Sequence, residues 1–225
     1  EMQRSLVGSE MCIRDRLWMR YCAISPDGQT IAFSYQGDIY TVPSSGGKAR
    51  QLTTHPAHDT RPVWSPDGQR IAFASNRSGN FDVFLMNKEG GEPKRLTTHS
   101  TNEYPTTFKD NGHILYLANV LQDAKDIQFP GTRFMQVYEI STDGGRPDLY
   151  SSLYMENIAL SKDGSKLLYN DYKGYEDPWR KHHQSSITRD IWLCTLGKDR
   201  SFQKVTTFGG EDRNPVWAAD GASFY

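Results

Sequence analysis

The residue types that could do chemistry are present but scattered. His182 and His183 stand beside Glu176 and Asp177, and imidazole with carboxylate is a metal-ligand vocabulary. Adjacent side chains in extended chain point to opposite sides, however, and no second Cys/His cluster has ligand spacing. The run is expected to be an ordered insertion loop making surface or interdomain contacts. His55, Pro56, His58 and Asp59 read as a polar connection. Cys12, Cys22 and Cys194 are odd in number and widely spaced, so neither a disulfide framework nor a zinc motif is legible. Cys22 is expected to be partly buried and inert, since no cationic neighbour stands ready to lower its pKa. No Gly-x-Ser-x-Gly elbow, no phosphate-binding glycine loop and no His-Glu-x-x-His motif occurs. The sequence therefore designates no catalytic residue, no cofactor site and no metal ligand.

One kind of carboxylate does recur. Asp27, Asp67, Asp110, Asp163 and Asp220 each sit in a similar setting, at intervals of 40, 43, 53 and 57 residues. The settings include Ser25-Pro26-Asp27-Gly28, Ser65-Pro66-Asp67-Gly68, Phe108-Lys109-Asp110-Asn111, Ser161-Lys162-Asp163-Gly164 and Ala218-Ala219-Asp220-Gly221. No copy supplies the dense alternating carboxylates of a calcium loop. A turn role is expected, with the aspartate bonding the turn backbone and the next residue at positive φ. Asn111 is expected to fill the glycine slot in the third copy.

The elements that position these turns repeat as well. An apolar run follows each turn: Ile31-Ala32-Phe33, Ile71-Ala72-Phe73, Ile114-Leu115-Tyr116 and Leu167-Leu168-Tyr169. A third run begins at Asp38, Asp82, Gln136 and Asp190. Gly46-Gly47, Gly90-Gly91 and Gly144-Gly145 supply hairpins, and Leu52-Thr53, Leu96-Thr97 and Val205-Thr206 close the unit. Four strands with tight connections at a period near 40 residues fit a propeller blade. The fold class is all-β: an incomplete propeller of four-stranded antiparallel blades, about four plus the start of a fifth. The expected blades are 21–53, 60–97, 103–150, 155–207 and 212–225, the last truncated. A lone meander cannot cover both faces, so neighbours must stack. Trp64, Phe108 and Trp217, with Leu160 and Ile24, are expected to fill the layers between blades.

Composition agrees with strands rather than helices. The 225 residues carry a net charge of −1 and are 12% aromatic, with a mean hydropathy of −0.68. The near-neutral balance argues against a general nucleic-acid binder. No apolar stretch is long enough to span a bilayer as a helix. Residues 4–16, RSLVGSEMCIRDR, break the pattern and resemble translated sequencing-adapter DNA. Residues 1–16 are therefore set apart as a non-native or disordered segment, with the partial propeller over 17–225. The true N-terminus is expected to be missing.

The succession Ser-Pro-Asp-Gly, Ile-Ala-Phe, Asp-Ile-Tyr and Leu-Thr resembles the PD40-type repeat of TolB, tricorn-type proteases and some prolyl-oligopeptidase relatives. The insertion in the fourth copy is narrower. Glu176-Asp177-Pro178-Trp179-Arg180-Lys181-His182-His183, leading into Arg189-Asp190-Ile191-Trp192, is similar to the N-terminal propeller of bacterial tricorn-like S41 serine peptidases. The resemblance implies a non-catalytic part of a hydrolase that gates or routes peptides and mediates interdomain and oligomer contacts. It implies partners in a second propeller, a PDZ domain and a protease domain of the same chain, in peptides, and in further copies of a homo-oligomer. It implies a cytoplasmic setting, with the bacterial periplasm as the alternative. A TolB-like envelope scaffold and the propeller of a dipeptidyl-peptidase relative are the competing resemblances.

Strand alternation places the insertions at 117–135 and 171–189 on one face, with the blade-to-blade connections. Phe129, Tyr172, Tyr175, Trp179 and Arg180 are the expected peptide or interdomain contacts, because aromatics and arginine anchor interfaces. Four blades and a stub would leave two exposed edges and poor solubility.

Overall fold

The computed structural model describes residues 19–120, 135–174, 186–218 and 220–225. They form sixteen strands and, among the described residues, no helix. Strands β1 (Arg20–Ile24), β2 (Thr30–Tyr35), β3 (Asp38–Pro43) and β4 (Arg50–Gln51) make the first antiparallel sheet, in sequence order. The same meander recurs in β5 (Asp59–Trp64), β6 (Arg70–Ser75), β7 (Asp82–Asn87) and β8 (Gly90–Arg95). It recurs again in β9 (Glu103–Asp110), β10 (His113–Ala118), β11 (Gln136–Ser141) and β12 (Asp148–Ser151). The fourth sheet is β13 (Met155–Leu160), β14 (Lys166–Asp171), β15 (Ile191–Thr195) and β16 (Ser201–Lys204). A further copy of the first hairpin follows, held by a bridge between Trp217 and Phe224. The sheets are the blades of a β-propeller. The first strands β1, β5, β9 and β13 pack successively on one another around the middle.

The recurring turn has one construction. Ser65 Oγ donates to Asp67 Oδ1 at 2.5 Å and accepts from Arg70 N at 2.9 Å, while Gln69 N donates to the same carboxylate oxygen at 3.0 Å. Ser25 with Asp27 and Ser161 with Asp163 repeat this set. Gly28, Gly68, Gly164 and Gly221 lie at φ between 65° and 72°, the left-handed region that favours glycine. The third copy departs from expectation. Neither Asn111 nor Gly112 takes a positive φ. Asp110 pairs with His113 across a two-residue turn, and Phe108 stands opposite Ile114 where Trp64 stands opposite Ile71. A Phe in the serine slot removes the hydroxyl that builds the other turns, so the hairpin closes differently and its register slips by one.

The Leu-Thr signal, Val-Thr in the fourth blade, closes blades one, two and four. Thr53 Oγ1 accepts from Ile39 N at 3.0 Å, Thr97 Oγ1 from Val83 N at 2.9 Å, and Thr206 Oγ1 from Ile191 N at 3.1 Å. The residue before each threonine donates its own N–H to the same third strand, with Leu52 N on Ile39 O at 2.8 Å. One hydroxyl thus satisfies a buried amide that the short fourth strand cannot reach.

The core lies between the blades. Val83, Leu85, Leu96, Phe108, Ile114 and Tyr138 join blades two and three, and Leu115, Val137, Ile158 and Leu167 join three and four. Trp64 packs against the layer between blades one and two and donates its indole N–H to Ala23 O at 3.1 Å. Trp217 makes the same bond back to Ala159 O at 2.9 Å. Ile24 does not fill a layer: it is 66% exposed, because the face of β1 on which it stands has no neighbouring blade among the described residues.

Candidate functional site

The first strands carry a second repeat, visible only in the backbone. Their ladders break between Arg20 and Ala23, between Thr60 and Val63, and between Glu156 and Ala159. At these bulges Tyr21, Arg61 and Asn157 adopt φ of 53°, 54° and 49°, and Asn214 takes 57° at the same offset before Trp217. A left-handed conformation is uncommon for Tyr or Arg and holds only where the surroundings enforce it. The bulge turns each side chain out of its sheet and toward the middle. In β9 the irregularity falls between Pro105 and Thr107 and carries no left-handed residue.

These residues ring a central cavity of about 750 Å³. Tyr21 and Cys22 come from β1, Arg61 from β5, Tyr104 from β9 and Glu156 from β13. Tyr172 and Arg189 enter from the two ends of the fourth-blade insertion. Cys22 is exposed rather than partly buried, because β1 presents it to the cavity and not to a neighbouring blade. Cys194 is buried, and burial raises its pKa.

Electrostatics around the cavity are uneven. Arg189, only 8% exposed, donates to Glu156 Oε2 at 2.8 Å and to Glu211 Oε1 at 2.7 Å, and lies 5.0 Å over the Tyr172 ring. Burial opposes its charge, but Glu211 and Glu156 outweigh that and raise its pKa. Burial likewise opposes the charge on Glu211, and Arg213 and Arg189 together lower its pKa. The foot of the insertion is tied down nearby, with Lys173 Nζ 2.6 Å from Asp190 and 2.9 Å from Thr188 O. Arg61 lies over two rings, 5.1 Å from the Tyr21 centroid and 4.3 Å from that of Tyr104. Burial raises the Tyr104 pKa, so its hydroxyl stays neutral near pH 7.

Other singled-out residues have structural roles. Asp59, fully buried, takes both of its bonds from Arg77 at 2.8 and 3.0 Å. His55 Nδ1 accepts from Ala57 N at 3.0 Å. Among the described residues no group of three His, Cys, Asp or Glu side chains is placed to hold a metal ion. Of the five expected contacts, Tyr172 lines the cavity. Phe129, Tyr175, Trp179 and Arg180 lie outside the described residues, as do His182 and His183. Sequence reading missed Tyr21, Arg61 and Tyr104. The available signal was the polar or aromatic position just ahead of Cys22, Pro62, Ile158 and Pro215, which the recurring apolar pattern does not include.

Comparison with known proteins decides the family. Residues 16–225 match the sequence pattern described as "Tricorn protease N-terminal beta propeller domain". The chain belongs to this family. The crystal structure of the tricorn protease superposes with a TM-score of 0.66 at 20% identity, over 88% of this chain and 19% of that one. The structure of a putative TolB from Agrobacterium tumefaciens superposes with a TM-score of 0.57 at 24% identity, covering 80% of this chain and 64% of that one. An uncharacterized peptidase, YuxL, of Bacillus subtilis is 46% identical over 52 residues, or 21% of this chain and 8% of its own length. This tricorn-type propeller therefore spans under a tenth of the matched peptidase and about a fifth of the tricorn protease.

Proposed function

We propose that this tricorn-type propeller is a non-catalytic part of a serine peptidase, and that it routes peptides along its central cavity. The observation that carries the reading is the ring of left-handed residues, which spends backbone strain to point Tyr21 and Arg61 into a space of about 750 Å³. Strain of this kind concentrates where a ligand is handled, and aromatic and arginine side chains are the usual anchors for passing chains. Chemistry would then come from other domains of the same polypeptide, and the fourth-blade insertion would contact them or guide substrate toward them. Its described feet, Tyr172 and Arg189, stand at the cavity, which supports that placement.

Deleting residues 172–186 from the peptidase that carries this propeller tests the reading. Turnover of long peptides is expected to fall or the oligomer to change, with short-substrate turnover retained. Unchanged long-peptide turnover together with an unchanged oligomeric state would contradict it.

A further inference from the structure

Among the described residues three arginines reach the cavity, and one of them is not like the others. Arg189 and Arg213 are held by carboxylates, at 2.7 and 2.6 Å from Glu211. Among the described residues Arg61 meets no carboxylate and gives its guanidinium N–H groups to no acceptor; its guanidinium lies against the two tyrosine rings. A ring face attracts the positive charge but leaves the five N–H donors of a guanidinium unused. The side chain is half-buried and lines the cavity, so those donors front the same space. The residue is also fixed in place. Its backbone is held at φ 54°, with Pro62 behind it, and the rings of Tyr21 and Tyr104 restrict the swing of the guanidinium. A planar cation, preoriented and without an acceptor, fits a planar oxyanion, because two parallel N–H groups match the two oxygens of a carboxylate.

We propose that the central cavity carries an oxyanion site at Arg61 that takes a carboxylate group in bidentate fashion, with Tyr21 and Tyr104 holding the guanidinium plane. The inference deepens the reading of the cavity as a passage, since acidic side chains on a passing chain would pause there. The site itself stands without that reading.

The test is a calorimetric titration of the purified chain at low ionic strength, where exposed charges are least screened. The probes are succinate, uncharged succinamide, inorganic phosphate, and two acetylated and amidated peptides differing by one Glu or Gln. Succinate is expected to bind and succinamide not, with phosphate weaker than succinate. Arg61→Gln is expected to weaken succinate about tenfold or more, the scale of one charge-assisted contact. Arg61→Lys keeps the charge and the stem but loses the fork, and is expected to weaken it several-fold. Should Arg61→Gln fail to fold, the lysine variant carries the test. Succinate affinity unchanged in either folded variant would overturn the site, as would equal binding of succinamide. A Glu peptide preferred over its Gln counterpart supports both site and passage. Succinate binding without that preference supports the site and counts against the passage.

Discussion

Glu103 is 1% exposed and Asp82 is fully buried, and the two carboxyls meet between the second and third blades. Arg95 Nη2 pairs with Asp82 Oδ2 at 2.9 Å, whereas Glu103 Oε2 and the Tyr116 hydroxyl have no well-aligned hydrogen-bond partner among the described residues. Burial first, and then the neighbouring Asp82 charge, push the Glu103 pKa up to about 7. Two carboxylates in one buried site resist ionising together. The sign follows from linkage. The unfolded chain releases this proton near pH 4.5 and the folded chain holds it to about 7, so stability falls as pH rises between those values and then levels. Glu103→Gln removes the titration. It is expected to raise stability at pH 8, relative to the wild type, by on the order of 2–3 kcal/mol, and by much less at pH 4.5. Thermal unfolding of both proteins across that range checks this, and parallel curves would contradict it.

The blades depend on side chains that substitute for missing backbone partners. Thr97 Oγ1 caps Val83 N at 2.9 Å, and both residues are buried. Thr97→Val keeps the shape and removes the acceptor, leaving a buried amide unpaired. A loss of about 1–3 kcal/mol is expected, measured by denaturant unfolding; no change would mean that the latch contributes nothing. This latch is legible in the sequence as a recurring Leu-Thr, and so are the serine and aspartate of the turn, because a fixed hydrogen-bond pattern demands the same residue types wherever it is kept. The third turn was misread because Asn111 imitates the glycine slot, while the deciding change was Phe108 in place of the serine. The cavity ring was not legible for the opposite reason. A bulge fixes the backbone and not the side chain, so Tyr, Arg and Asn serve equally at that position and leave no repeated letter. Ile24 was misplaced because the repeat gives its face and not whether a neighbour covers it.

At the scale of the whole molecule, four sheets stacked about a centre produce one shared space, and every blade contributes its first strand to it. The family match identifies the propeller, and the passage of peptides through its middle is the claim on which the functional account rests. Cys22 offers a direct handle, because its thiol is exposed at the cavity while Cys194 is buried with a raised pKa. Thiolate access governs labelling, so a bulky maleimide should modify Cys22 and spare Cys194. The deciding measurement is turnover of long and short peptides by the full-length protein that contains this propeller, before and after that labelling, with Cys12 and every cysteine of the remaining domains replaced by serine. The account predicts that the adduct slows long peptides several-fold and leaves short ones unchanged. Equal turnover of long peptides after complete labelling would contradict it.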